Sequence, residues 1–275
     1  MIGDQMIRKI LFMLVVILLF QVNTANAGTE GSEDLTSSNS PNSANECFEG
    51  FSRAMFSFNH GLDKVVFEPV AKGYRALPTP IRKGTGIAMN NLRSLLTFSN
   101  NILQGDFKKA GNTVGRFAIN TTAGILGIFD PASALGLKDQ GKEDFGQTLG
   151  VWGSDTGCYF VLPILGPTTT RDAIGQVGNV FIDPVYQITH NTEIRNGIVG
   201  NGNYSEHNYY IYRSTGAVDF RAKNIESFDS LEKNSIDLYA SVKSLYLQDR
   251  HKKILNSQSS VETQNDDDWE EIDTN

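Results

Sequence analysis

The sequence has little of what enzymes, redox proteins and nucleic-acid binders use. Cysteine occurs twice in 275 residues, at Cys47 and Cys158, and histidine four times. His60, His190, His207 and His251 lie far apart and share no metal-ligand spacing. No C-x-x-C, H-E-x-x-H, G-x-S-x-G or Walker sequence is present, and Gly84-Thr85-Gly86 runs into Ile-Ala-Met rather than completing a dinucleotide fingerprint. Ser and Asp are abundant, but no nucleophile stands beside a marked base. No enzyme, cofactor or metal is expected from these residues. Basic residues are in deficit, 24 against 31 acidic, for a net charge of −7 and a pI near 5.1. That excludes nucleic acid as a partner, because phosphate contacts need a basic face. It also disfavours docking on anionic lipid by charge alone. The longest apolar run, Ile10 to Phe20, is too short for a confident membrane span. No repeat recurs at a fixed period.

What is present begins with an export signal. Arg8 and Lys9 precede the apolar run, and Ala25-Asn26-Ala27 offers a small-residue cleavage site. Residues 1–27 read as a signal peptide, and residues 28–46, rich in Ser, Asn, Gly and Thr, as a flexible linker. The folded domain is expected over 47–255. The polar stretch 256–275, with its acidic Asn265–Asp273, reads as a disordered tail. Two cysteines in an exported chain can pair. Nothing in the sequence brings Cys47 near Cys158, so they read here as separate thiols.

Between these ends the pattern is helical. Phe51, Met55, Phe58, Leu62, Val65, Val66 and Val70 recur at steps of three and four, a stripe expected to face the core and to end near Pro69 or Gly73. A second helix opens at Thr79 or Pro80 and is expected to kink or break near Ser99, because Asn is a middling helix former. Asp106 caps a third helix. From Phe117 to Phe129 there is no charge. That run suits a buried central helix, or one lying at a membrane interface. A further helix follows Ala173 and stops at Asp183-Pro184. Residues 185–207 read as an irregular loop. Two closing helical faces are centred on Val218–Phe228 and Ile236–Tyr246, the second capped by Ser235. The fold class is mostly α, one multi-helix domain with Gly- and Pro-rich loops.

The most distinctive stretch is Glu143–Asp172. It holds one of the two Trp residues and a dense load of Gly and Pro, so it reads as a structured loop with short elements. Its apolar run Tyr159–Leu165 fits a buried strand, a core segment or a wedge at a membrane interface. Asp144-Phe-Gly-Gln-Thr-Leu-Gly-Val-Trp-Gly153, then Tyr159-Phe-Val-Leu-Pro-Ile-Leu-Gly-Pro167 and Arg171-Asp172, resembles the MlaA (VacJ) family. Phe48-Glu-Gly-Phe-Ser-Arg-Ala-Met-Phe-Ser-Phe-Asn59, with Leu62-Asp63 and Pro69-Val70-Ala71, resembles the opening helix of that family. Leu238–Gln248 resembles its closing helix. The three blocks keep the family order and bracket about residues 46–250.

The resemblance implies a ring-shaped helical body in the inner leaflet of the outer membrane of a Gram-negative cell. It implies a central amphipathic channel that takes phospholipid from the outer leaflet and passes it to a soluble periplasmic carrier, with trimeric porins as partners. The 143–172 block would contribute to the channel rim, through Phe145, Trp152, Leu162 and Leu165 on the apolar side and Arg171 and Asp172 on the polar side. Read from the residues alone, Arg171-Asp172 is a structural ion pair or cap. Most members are lipoproteins with a Cys directly after the apolar run; this chain has none there. Its hold on the membrane is therefore expected from the folded domain or a partner. The alternative is a soluble periplasmic lipid-binding protein.

Overall fold

The structure, a computed structural model, describes residues 46–191, 194 and 206–255. The signal peptide, most of the linker, the acidic tail and most of the 185–207 loop expectation lie outside the described residues. The described part is helical. Its elements are α1 (Glu49–Leu62), a π-helical turn (Asp63–Phe67), α2 (Glu68–Arg75), α3 (Thr79–Leu103), α4 (Phe107–Thr122) and the short α5 (Pro131–Ala134). Then come α6 (Phe145–Val151), the hairpin β1 (Tyr159–Leu162) and β2 (Gly166–Thr169), α7 (Thr170–Ile182) and α8 (Pro184–His190). The chain closes with α9 (Glu206–Lys223), α10 (Ile225–Asn234) and α11 (Leu238–Ile254). The hairpin is antiparallel, with Tyr159 opposite Thr169 and Leu162 opposite Gly166. Helix α3 packs along α4, α6 along α7, α9 against α2 and α3, and β1 against α1.

Aspartates and a threonine start these helices. Asp106, Asp130, Asp144, Thr169, Asp183 and Asp237 each accept a backbone N–H from the first turn that follows. Asp106 matches the sequence reading. The last helix is capped by Asp237 rather than Ser235. Pro184 does not end structure but opens α8, because proline fits the first turn where no N–H is needed. Residues 185–190 are thus helical where a loop was expected.

One boundary is settled between its two alternatives, and three further expectations are corrected. The first helical stripe runs past Pro69 and ends at Arg75, close to the Gly73 alternative. The π-helical turn, in which the Glu68 N–H reaches the Asp63 carbonyl, precedes the proline and lets the path continue to Arg75. Over most of its length that stripe does not face a core: Phe51, Phe58, Val65, Val66 and Val70 are exposed, while Met55 packs on a buried cluster. Helix α3 runs unbroken for 25 residues. Its asparagines find partners that outweigh weak propensity: Asn91 donates to Thr121 at 2.9 Å, Asn101 to Thr113 at 3.2 Å, and Asn100 accepts from Thr148 at 2.8 Å. The uncharged run 117–129 is not a buried helix. It leaves helical geometry after Thr122 and ends in a turn carrying exposed Ile125, Leu126, Ile128 and Phe129.

Cys47 and Cys158 are joined in a disulfide, with Cα atoms 5.6 Å apart, against the reading of separate thiols. The bond ties the start of the domain to β1. Glu46 pairs there with Tyr159 as an isolated bridge and takes hydrogen bonds from Tyr239 and Lys243. The sequence separation of 111 is why no local pattern announced the pairing.

Candidate lipid interface

The described residues are distributed the wrong way round for a water-soluble domain. Nine hydrophobic residues are buried, and four of those are alanine. Twenty polar or charged residues are buried. Thirty-two large hydrophobic residues are exposed, including six Phe outside α1 and its π turn. The apolar clusters inside are small: Ala71, Ala222 and Ile225 beside Tyr74, and Tyr159, Val161 and Tyr239 beside Met55, Phe56, Tyr246 and Leu247. Scattered exposed apolar residues are normal in any protein, but this excess outside over inside is not. No helix among the described residues is long and apolar enough to cross a membrane. Such a body suits contact with hydrocarbon along its sides, with its polar groups satisfied internally.

The interior is held by polar clusters. Arg250 bridges two elements, donating to Asp144 at 2.7 and 2.9 Å and to Asp172 at 2.8 Å. Tyr246 donates to Asp172 at 2.6 Å, and Arg171 lies 3.3 Å from the same carboxylate. Burial pushes the Asp144 and Asp172 carboxyls up. The Arg250 charge and hydrogen bonds outweigh it and hold both below the ordinary carboxylate range. Burial likewise lifts the Tyr246 hydroxyl, helped by Asp172. Close approach of α6 to α7 makes the cluster possible. A side chain at Gly175 would meet the Gly146 backbone nitrogen at 2.3 Å, so only glycine fits there. A second cluster joins Arg221 to Asp63 at 2.8 and 2.9 Å. A third joins Arg116 and Asn120 to Asp130, at 2.8 and 2.9 Å.

The outer face is fixed by the same devices. Asn59 on α1 donates to the Leu162 carbonyl at 2.8 Å and accepts the Ile164 N–H at 2.7 Å, which pins the hairpin tip beside α1. The tip carries Ile164 and Leu165, both about two-thirds exposed at 65% and 66%. Trp152 is exposed, stacks edge-on to Phe145 at 5.8 Å and donates its indole N–H to the Leu103 carbonyl at 3.0 Å. An aromatic with an apolar body and one satisfied polar end suits a membrane boundary.

The backbone adds an independent sign. Ile125 (φ 52°), Leu126 (φ 58°) and Ile164 (φ 66°) are the described non-glycine residues at positive φ. Left-handed geometry costs an L-residue roughly 1–2 kcal/mol and is avoided by β-branched side chains above all. Here all three positions carry bulky apolar side chains, and all three are exposed. Strain spent on pointing isoleucine and leucine outward is strain at a working surface.

The sequence-derived site residues separate by burial. Arg171 and Asp172 are buried at 6% and 4% and belong to the Arg250 cluster, the structural reading of that pair. Phe145 and Trp152 are brought together. Leu162 is half-buried in β1, and Leu165 stands at the exposed tip. Tyr246 links the groups, since its ring lies 6.1 Å from that of Tyr159 on β1 while its hydroxyl holds Asp172. Sequence reasoning missed Ile125, Leu126 and Ile164 as special, because φ is not a property of composition. The only signal was a weakly polar run without a turn-forming Asn or Asp.

A cavity of about 90 Å³ lies between α3, α4 and the 139–142 segment, lined by Asn90, Arg93, Ser94, Arg116, Asp130, Asp139 and Lys142 among others. The 124–129 turn roofs this side of α3: a side chain at Gly127 (φ 82°) would meet Asn91 at 2.6 Å. No group of acidic, His or Cys residues among the described ones has metal-binding geometry.

Known proteins resemble this chain over most of the described part. The family model for MlaA lipoprotein matches residues 44–253. The intermembrane phospholipid transport system lipoprotein MlaA of Haemophilus influenzae is 36% identical over 231 residues, 82% of this chain and 86% of that protein. The protein of the same name from Escherichia coli is 32% identical over 212 residues, 76% of this chain and 77% of that protein. A Rickettsia prowazekii protein is 40% identical over 146 residues; that match spans 58% of its length. A solved structure from work on the structural basis for maintenance of bacterial outer membrane lipid asymmetry superposes with a TM-score of 0.62 at 29% identity. It covers 76% of this chain and 98% of that one. With the family model spanning the helical body and relatives above 30% identity over most of the chain, this protein belongs to the MlaA lipoprotein family.

Proposed function

We propose that this protein moves phospholipid at the outer membrane, taking it from the outer leaflet and so maintaining lipid asymmetry. The observation that carries the reading is the inverted polarity of the helical body: apolar side chains outside, ion clusters and a polar cavity inside. Moving a phospholipid breaks no bond. It needs an apolar surface for the tails and a polar one for the headgroup, because drawing a charged group through hydrocarbon is costly. The same polarity disfavours a free periplasmic carrier, which would hide its apolar surface from water. The names of the relatives, a transport system and its lipoproteins, agree with a non-enzymatic role.

Finer parts belong to the same proposal. The body sits in the inner leaflet on the periplasmic side, held by its apolar flank. It hands lipid to a soluble periplasmic carrier and docks beside trimeric porins. Phe145, Trp152 and Leu165 line the apolar side of the lipid path with Leu162 behind them, and Arg171 and Asp172 brace its rim from within. The test is outer-leaflet phospholipid in cells lacking the gene. Restoring the wild-type gene lowers a raised level, while Leu165→Asp, folded and exported, does not. Full lipid clearance by Leu165→Asp removes the hairpin tip from the path. No rise on deletion removes the transport reading.

A further inference from the structure

Most arginines that reach into the body of this protein face carboxylates, whereas half-buried Arg93 and the more exposed Lys142 do not. Arg250, Arg221 and Arg116 are each within 2.8 Å of an aspartate. Arg93 and Lys142 are different. Both line the 90 Å³ cavity between α3, α4 and the 139–142 segment. Among the described residues, no carboxylate lies within ion-pairing distance of either. The Arg93 Nε is buried with no hydrogen-bond partner. A buried donor left unpaired costs free energy and asks for an acceptor.

The other charges of the cavity are occupied. Arg116 donates to Asp130, to Ser133 and to the Leu137 carbonyl. Asp130 also accepts from Asn120 and Ser133. Asp139 accepts the Gly141 N–H at 3.0 Å. Three cations therefore face two carboxylates, in a protein whose net charge is −7. Burial and then the nearby Arg93 charge both disfavour the charged form of Lys142. Asp139 and Asp219 offset part of this at Lys142, but neither pairs with it or with Arg93, so one anion between the two cations relieves their repulsion. A guanidinium supplies paired donors and an ammonium a point charge, the combination that holds a phosphate.

We infer that Arg93 and Lys142 form a phosphate-binding site for the phosphodiester of a phospholipid headgroup. This rests on the transport reading above and names where on the polar side the headgroup stops. The cavity has room for several waters, which the phosphate oxygens replace. Asn90 offers a further polar group on the same wall.

The test is calorimetric titration of the purified full chain in non-ionic detergent. The probes are dihexanoyl phosphatidylglycerol and dihexanoyl phosphatidylethanolamine below their micelle concentrations, uncharged dihexanoylglycerol, and inorganic phosphate. The variants are Arg93→Gln, Lys142→Gln, the double variant, Arg93→Lys, and Lys233→Gln as an exposed cation away from the cavity. The short-chain phospholipids bind wild type and Lys233→Gln alike. They bind each single Gln variant about tenfold or more weakly, the loss of one charge-assisted contact, and Arg93→Lys in between. Dihexanoylglycerol binds no better to wild type than to the double variant. Wild-type affinity for the phospholipids in a folded double variant overturns the site and leaves the transport reading standing. Inorganic phosphate bound as tightly as the phospholipids makes this a free-phosphate site and overturns the lipid assignment. A wild-type chain that binds no phospholipid overturns both.

Discussion

Replacing Ile125 and Leu126 by asparagine separates a lipid-facing turn from a packed one and from an idle one. Both residues sit at positive φ, 52° and 58°, and are 60% and 75% exposed. Asparagine tolerates that geometry, so the pair of changes releases strain of about 1–2 kcal/mol per position at most. In lipid-free detergent the urea midpoint of Ile125→Asn/Leu126→Asn should therefore stay level or rise. Membrane binding moves the other way. Burying a full Leu or Ile side chain contributes about 1.5–3 kcal/mol, and the exposed fractions here leave roughly 1–2 each. The two together are worth at least about 2 kcal/mol, a loss of roughly thirtyfold in partition coefficient. Vesicle flotation at lipid concentrations that half-saturate wild type measures it. A pair of core residues would instead cost about 2–5 kcal/mol each in folding stability. A lowered urea midpoint with unchanged flotation would refute the assignment of this turn to the membrane.

Other outcomes follow from the interior. Reducing the Cys47–Cys158 bond, or Cys158→Ser, should lower the urea midpoint by an amount near 4–5 kcal/mol of chain entropy for a loop of 111 residues; a reduced, thiol-titrated protein that unfolds like the oxidised one would show that the bond carries no stability. Asp172→Ala leaves Arg250 with one partner fewer in a buried cluster and should cost about 3–5 kcal/mol, read by thermal melting. Acid acts through the depressed carboxyls: Asp144 and Asp172 lie below their unfolded values and Asp130 is held down to about 2, against a burial effect that alone would raise it. A lowered carboxylate contributes stability above its unfolded value and loses it as pH falls through the folded one, so the melting temperature should drop from about pH 4 downward, and less steeply in Asp130→Asn. A melting temperature flat to pH 2 would contradict the ion clusters.

The amino-acid order by itself determined the helical class, the opening of α3 at Thr79-Pro80, the Asp106 cap and the family, because these rest on local propensity and on motifs read without distance. Leu165 as an apolar loop residue and Arg171-Asp172 as a structural pair were also legible, since exposure at a Pro-flanked tip and an adjacent ion pair are short-range facts. The direction in which the stripes face was not. Periodicity marks Phe51, Phe58, Val65 and Val70 as one side of a helix, but the same stripe serves a core or a bilayer. Only tertiary structure, by filling the inside with Asp144, Arg250, Asp172 and Arg221, decided that the stripe points outward. Contacts across long separations were equally beyond reach: the disulfide spans 111 residues, Arg250 meets Asp144 across 106, and the buried Arg93 Nε is left without a partner by the way α3 packs. Burial, pairing and φ are properties of the folded chain, and in this protein they are what separate a body with apolar side chains outside from an ordinary helical domain.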